Sequence, residues 1–166
     1  MTFVNKTLEE MLGSNHELVY SLNVTPTING EILEARSNYW GFITKEQEDE
    51  LFSLINAKIR TALYEDAEDT LMEIIDNAFN RGNMAFDKPI TINLYETNDK
   101  IAVQIKDSGS GFDYKTKIAQ LNAGEVYFQG HGCGLRRMKN SEWEISYEGN
   151  GNTVNVLIPK ERKNDN

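Results

Sequence analysis

Apolar and polar residues alternate in five stretches of the chain, and apolar residues recur at helical spacing in two others. The alternating stretches are 17–25, 90–96, 101–107, 143–149 and 153–159. Alternation at every second position is the period of a β-strand with one buried face. Turn residues at 98–99 and 150–152 join the last four stretches into two β-hairpins.

Helical spacing occupies the region between the first strand and the first hairpin. Thr44 and Gln47 have the spacing of a capping box, which satisfies free N–H groups at a helix start, and they predict a helix over 44–64. A second helix is predicted from near Asp66 through residue 80, and a short one at 7–12. The apolar stripes are Leu51, Phe52, Ile55, Ile59 and Leu63 on the first helix, and Leu71, Ile74, Ile75, Ala78 and Phe79 on the second.

Strands and helices in separate blocks predict an α+β fold. We expect a two-layer α/β sandwich with helices on one face of a mixed, mainly antiparallel sheet. The length fits a single domain over 1–166. Within it we expect an N-terminal extension over 1–43 and a loose tail over 160–166. The polar stretch 113–129, between the two hairpins, is predicted to be lid-like.

Composition restricts the expected cellular location of the protein and the expected class of its partner. The formal net charge of −9 repels nucleic acid phosphates and anionic lipid, so we expect neither nucleic acid nor membrane as a partner. Such a charge suits a basic protein surface, although it also serves solubility. The one cysteine, Cys133, excludes an internal disulfide, and the start of the chain lacks a signal-peptide pattern. We therefore expect a cytoplasmic protein.

A polar row on the second long helix is the first candidate for chemistry. Glu73, Asn77 and Arg81 follow at intervals of four, which places them on one face beside the apolar stripe. The row is either the solvated side of the helix or a functional set. In the second case an amide oxygen could bind a hard cation such as Mg²⁺, and a glutamate could take a proton from a hydroxyl.

Two glycine-rich stretches are the other candidates. Asp107 ends a predicted strand and is followed by Gly109, Gly111 and Phe112, a pattern that fits either a tight turn or a ligand. Phe112 could anchor the turn or pack on a base. The second stretch, "GHGCGL" at 130–135, precedes a predicted short helix. It is either a flexible loop or a phosphate cradle built from backbone N–H groups.

In this order, the three motifs resemble the nucleotide-binding boxes of the Bergerat-fold superfamily, which includes gyrase, heat-shock chaperone ATPases, histidine kinases and mismatch-repair ATPases. "EIIDNAFNRG" at 73–82 resembles its asparagine box, "DSGSGF" at 107–112 its first glycine box and "GHGCGL" its second. The boxes lie within 66–160, and their order and spacing are more specific than any single box.

The resemblance implies ATP and Mg²⁺ as cofactors. It implies that Asp107 accepts a hydrogen bond from the adenine amino group, that Gly111 lets the backbone pass close to the nucleotide, and that Asn77 holds Mg²⁺. The stretch 113–129 would be the ATP lid. Glu73 would be the catalytic base.

The resemblance also implies a phosphate end of the site. Gly132 and Gly134 would face the phosphates, with Lys115 and Lys117 of the lid as further contacts. The remaining predicted cofactor-binding residues lie in the same boxes and are Arg81, Gly109, Phe112, Gly130, His131, Cys133 and Leu135.

Among the branches of the superfamily, the chain is most similar to stand-alone anti-sigma-factor serine kinases, in which a strand and a helix precede the asparagine box. Those proteins sequester a sigma factor and phosphorylate a serine of an antagonist protein. The similarity implies a sigma factor or an antagonist-like protein as partner, and it is compatible with a homodimer. Some histidine kinases share the glutamate at 73 and a similar second glycine box, so a stand-alone catalytic domain of a histidine kinase stays open.

Two functional hypotheses from different classes follow. The first is an ATP-dependent protein kinase that acts on a regulatory partner. The second is a non-catalytic nucleotide-binding interaction module, in which ATP sets the shape of the lid and the affinity for the partner.

Overall fold

Six strands form one sheet in the computed structural model of the chain, which describes residues 2–24, 44–59, 65–83, 88–123 and 143–161. The strands are β1 (Thr2–Phe3), β2 (Glu17–Val24), β3 (Ile90–Glu96), β4 (Lys100–Lys106), β5 (Glu144–Glu148) and β6 (Thr153–Pro159). Their order across the sheet is β1-β5-β6-β4-β3-β2. The pair β1–β5 is parallel and the other pairs are antiparallel, so the predicted mixed, mainly antiparallel sheet is confirmed.

Four α-helices and one π-helix complete the described part of the chain. They are α1 (Leu8–Leu12), α2 (Lys45–Lys58), α3 (Glu65–Asn77), the π-helix (Ala78–Asn83) and α4 (Tyr114–Asn122). The capping box predicted at the start of α2 is present, since Gln47 N donates to Thr44 Oγ1 at 3.2 Å and Thr44 N to Gln47 Oε1 at 2.9 Å. In the ranges that the structure describes, every helix is too short or too polar to cross a membrane.

The main core lies between α2, α3 and one face of the sheet. The predicted stripes supply it: Leu51, Ile55, Leu71 and Ile75 are fully buried against inward residues of the central strands, such as Val103. Burying one such side chain contributes about 1.5–3 kcal/mol. The predicted α/β sandwich is therefore confirmed, and it sets α3 directly over the strands that end at the candidate site.

The segment between β1 and β2 crosses the second face of the sheet, because these two strands form opposite edges. Within this segment α1 packs Leu8 against Ala102 and Leu157. Residues 2–24, which the sequence assigns to an N-terminal extension, thus supply both edge strands. The two-residue strand β1 was not predicted because it is too short to show an alternating pattern.

A row of polar side chains crosses five strands on this second face. Ser21 donates to Asn93 at 2.7 Å, Asn93 to Gln104 at 3.2 Å, Gln104 to Asn155 at 3.0 Å and Asn155 to Ser146 at 3.1 Å. Each donor and acceptor pair stands at directly opposed positions of neighbouring strands. We call these five residues the polar row.

Two lysines form ion pairs with one glutamate near the end of β3, and these pairs predict a pH-dependent contribution to stability. Lys160 and Lys58 each place Nζ 2.6 Å from a carboxylate oxygen of Glu96, and both hold the pKa of Glu96 below its usual value. A lowered pKa stabilises the fold above the pKa of the unfolded chain, and this stability is lost as the pH falls through the folded value. We expect Glu96→Gln to lower the free energy of unfolding by about 1 kcal/mol at pH 7.

The measurement is urea unfolding of Glu96→Gln and of the parent between pH 7 and pH 3, where the difference should shrink. Glu144→Gln is the matched control, because Glu144 is more exposed and its oxygen lies 3.8 Å from Lys100 Nζ. A difference between Glu96→Gln and the parent that stays constant with pH would contradict the prediction.

Candidate functional site

The carboxylate of Asp107 stands where β4 ends, and it is 8% exposed. Its backbone N donates to Asn152 O at 3.0 Å, which fixes the residue against the β5–β6 turn. Its Oδ1 accepts a hydrogen bond from Gly109 N at 2.8 Å. Burial raises the pKa of Asp107 above its usual value, while the Gly109 N–H and the charge of Lys88 act in the opposite direction.

Bare backbone surrounds this carboxylate. A Cβ atom on Gly82 would lie 2.3 Å from Asp107 Cγ, and one on Gly109 would lie 1.6 Å from Gly82 O. The π-helix can therefore approach the loop after β4 only because both positions are glycine. The other oxygen of the acid, Asp107 Oδ2, receives no hydrogen bond from the described residues. Among the described residues this oxygen is thus an open acceptor, which an N–H donor of a ligand could meet.

Gly111 and Phe112 are explained first by packing within the protein. Gly111 has φ 77°, and a Cβ there would lie 2.1 Å from Asn150 O. Phe112 N donates to Asn150 O at 2.8 Å, and the Phe112 ring lies edge-on to Tyr147 with centroids 5.3 Å apart. Of the two interpretations of Phe112, anchoring of the turn is observed. Because the ring is still 44% exposed, packing on a base remains a prediction.

Glu73 and Asn77 lie one turn apart on α3, and both are partly exposed. The third residue of the predicted row, Arg81, lies beyond the end of α3, in the π-helix. A π-helix closes i→i+5 rings, so the α-helical spacing of four residues applies only as far as Asn77. The Arg81 side chain is outside the described ones, and its place in the row stays a prediction.

The predicted metal site depends on Asn77 alone among the described residues. In that part of the chain no three His, Cys, Asp or Glu side chains cluster closely enough to hold a metal ion. An amide oxygen is a suitable ligand for Mg²⁺, which commonly keeps several waters and binds through substrate phosphates. Asn77 as a ligand of Mg²⁺ therefore stays a prediction.

The first part of the predicted lid is a helix. Residues 114–122 form α4, and Asp113 Oδ1 caps it by accepting from Thr116 N at 3.1 Å. Lys115 and Lys117 are both exposed on α4, where a phosphate could reach them. The helix was not predicted because its apolar residues are too few to show a stripe. Residues 124–129 and the whole second glycine box, 130–135, lie outside the described residues.

We expect α4 to exchange its amide hydrogens fast in the nucleotide-free protein and slowly with Mg-ATP. None of the side chains described on α4 is buried. A nine-residue helix is marginal in water unless packing supports it, so α4 should open locally. Hydrogen exchange followed by mass spectrometry measures this, with α2 and its buried stripe as the internal control. Slow exchange in both states would argue against a lid.

Sequence reasoning missed two residues that lie next to Asp107 and its loop. Gly82 touches the carboxylate of Asp107, and Asn83 bonds the backbone next to it, with Asn83 Oδ1 accepting from Ser108 N at 2.7 Å. The sequence signal available was the glycine after Arg81, since glycine is enriched where helices end. That signal marks a helix end but does not say which segment packs against it.

Comparison of the chain with protein-family models gives a match. The family model described as histidine kinase-like ATPase domain matches residues 52–158, a span that contains α3, the loop after β4 and the second glycine box. No curated protein sequence matches the chain.

Proposed function

Since the chain belongs to the histidine kinase-like ATPase domain family, we propose that it binds Mg-ATP and phosphorylates a hydroxyl of a regulatory partner protein, in the manner of anti-sigma-factor serine kinases. The family supports ATP binding and ATPase or kinase-type chemistry in general. The proposal adds the acceptor, a serine or threonine hydroxyl, and the roles of individual residues.

One observation carries the kinase proposal: Glu73 and Asn77 stand one turn apart on α3, and the π-helix that follows α3 brings Gly82 close to the carboxylate of Asp107. This connection ties a possible base and a metal ligand to the residue that would recognise adenine. A carboxylate beside a metal ligand can accept the proton of an attacking hydroxyl. His16 lies just before β2 and bonds Gly13 O through Nδ1 at 2.7 Å, which gives no support for a phosphoacceptor histidine on a helix.

Each candidate residue would have one role in nucleotide binding or phosphoryl transfer. Asp107 would accept from the adenine amino group, and Asn77 would hold Mg²⁺. Gly132 and Gly134, with Lys115 and Lys117, would bind the phosphates. ATP supplies the phosphoryl group, whose transfer forms a bond to the partner oxygen and releases ADP. Glu73 would take the hydroxyl proton from the partner.

The partner is proposed to present a basic surface. The chain carries a formal net charge of −9, which steers positively charged proteins toward it and repels nucleic acid. A sigma factor or an antagonist-like protein is the class that we propose. The proteins encoded next to this chain are the first candidates to test.

The experiment is incubation with γ-labelled ATP and Mg²⁺, with and without each candidate partner, after calorimetry has measured ATP binding. The kinase proposal expects acid-stable label on a partner serine or threonine. Acid-labile label on histidine would instead favour the catalytic domain of a histidine kinase. Binding of ATP without transfer or hydrolysis would favour the interaction module, and absence of binding would overturn the proposal altogether.

A further inference from the structure

Asn83, the last residue of the π-helix, joins three segments of the chain. It is 2% exposed, and its Nδ2 donates to Lys88 O at 2.7 Å and to Pro89 O at 3.4 Å. Its Oδ1 accepts from Ser108 N at 2.7 Å. One buried amide thus ties the end of the π-helix to the entry of β3 and to the loop after β4.

The loop that Asn83 holds is the loop that orients Asp107. Asp107 Oδ1 is held by the N–H of Gly109, and the next peptide N–H toward the strand, that of Ser108, is held by Asn83. A Cβ on Gly82 would lie 2.3 Å from Asp107 Oδ2, so only a glycine lets the π-helix pass this close to the carboxylate. The bond from Ser108 to Asn83 therefore supports the part of the loop that leads from Asp107 to Gly109.

We propose that Asn83 is a positioning residue for base recognition: it sets the direction of the Asp107 carboxylate and so the preference for adenine. The inference rests on the proposed function, because it assumes that Asp107 accepts from the adenine amino group. Asn83 acts through Ser108 and Gly109 and has no contact with the base itself. A hydrogen bond weakens steeply when its donor–hydrogen–acceptor angle falls below about 120°, so movements of the loop that turn the carboxylate away from the amino group should reduce selectivity.

The measurement is the ratio of the affinities for ATP and for ITP, a nucleotide with an oxygen in place of the 6-amino group. The parent should prefer ATP by roughly ten- to a hundred-fold, the effect of one hydrogen bond to a charged group. Asn83→Ala should bring the ratio down to within about threefold of one. Partial unfolding lowers both apparent affinities by the same factor, so a merely structural role would leave the ratio unchanged.

Two control variants separate positioning from stability. Asn155→Ala removes an equally buried amide with three hydrogen bonds on the far face of the sheet, so it should lower stability and keep the ratio. Asn93→Ala removes two hydrogen bonds of the polar row on the same far face, so it should also keep the ratio. In an Asp107→Ala background, Asn83→Ala should cause no further change in the ratio of ATP to ITP affinity, because both substitutions act on one recognition step.

The outcomes distinguish this inference from the proposed function. A parent that binds ATP and ITP equally overturns the assignment of Asp107. A parent that discriminates, with an Asn83→Ala variant that discriminates as well, overturns the role of Asn83 alone. Should Asn83→Ala fail to fold, amide exchange of the nucleotide-free parent decides: slow exchange of the Ser108 N–H supports the positioning bond, and fast exchange overturns it.

Discussion

Replacing Glu73 by glutamine should lower the rate of phosphoryl transfer to a partner hydroxyl by about 10²–10⁴-fold, the usual contribution of a general base. Affinity for Mg-ATP should stay within a few-fold of the parent. Glutamine keeps the size of the side chain and removes the carboxylate that would take the proton. Glu73 is partly exposed on α3 one turn before Asn77, so we expect the substitution to leave the fold intact.

Affinity by calorimetry and turnover with labelled ATP must be measured on the same preparations. Asn77→Ala should show the opposite split, with loss of Mg²⁺-dependent binding, because an amide oxygen would act on the ligand and not on the proton. Glu68→Gln is the matched control: Glu68 is an exposed glutamate of the same helix. Parental turnover in Glu73→Gln would make Glu73 only a polar helix residue.

The second large effect is expected at Asp107. Asp107→Ala should weaken ATP binding by roughly ten- to a hundred-fold, since loss of a hydrogen bond to a charged group costs about 1.5–3 kcal/mol. Because burial raises the pKa of Asp107, the acceptor should become protonated at a higher pH than an exposed aspartate. ATP affinity of the parent should therefore fall as the pH falls through this raised pKa, and Asp107→Ala should lack that fall.

Asp107→Asn tests the same contact with less disturbance. Asparagine can keep the oxygen that accepts from Gly109 N and place an amino group where Oδ2 now stands. An amino group donates to the 6-oxo group of inosine or guanine and repels the amino group of adenine, so preference should move from ATP toward ITP and GTP. If calorimetry gave the same ATP affinity for the parent, Asp107→Ala and Asp107→Asn, the assignment of Asp107 would be refuted.

Sequence reasoning recovered the elements that depend on local patterns. The capping box at Thr44, the two hairpins and most of the two apolar stripes follow from the spacing of residues within one segment, and they are present. The first long helix, predicted over 44–64, ends at Lys58 with Ile59 already extended, and Leu63 lies outside the described residues. The π-helix was missed because no residue pattern within 78–83 distinguishes i→i+5 from i→i+4 bonding. Its shape is tied to the backbone contact between Gly82 and Gly109, which lie far apart in sequence.

The residues of the candidate site also fall into those that the sequence predicts and those that it does not. Asp107 and Glu73 could be chosen from sequence because a carboxylate at a strand end or beside an apolar stripe is visible in one segment. Asn83 could not be chosen from sequence, since its partners are backbone groups of Lys88, Pro89 and Ser108. A backbone carbonyl or N–H is present at nearly every position, so the sequence does not show that it is a partner. Buried amides that bond backbone across loops are found only when the loops have been placed.

The polar row on the second face of the sheet has a consequence for how the strands find one another. If a strand slipped by one residue against its neighbour, its side chains would change faces, and Gln104 would turn toward the core under α2 and α3. A buried amide without partners costs about 1–3 kcal/mol, and each slipped neighbour in the row would add its own penalty. A sheet built only from valine and isoleucine would tolerate such slips more easily. We infer that the row discriminates against misaligned pairings during folding, so that β4 and β6 reach the alignment in which Asp107 N bonds Asn152 O.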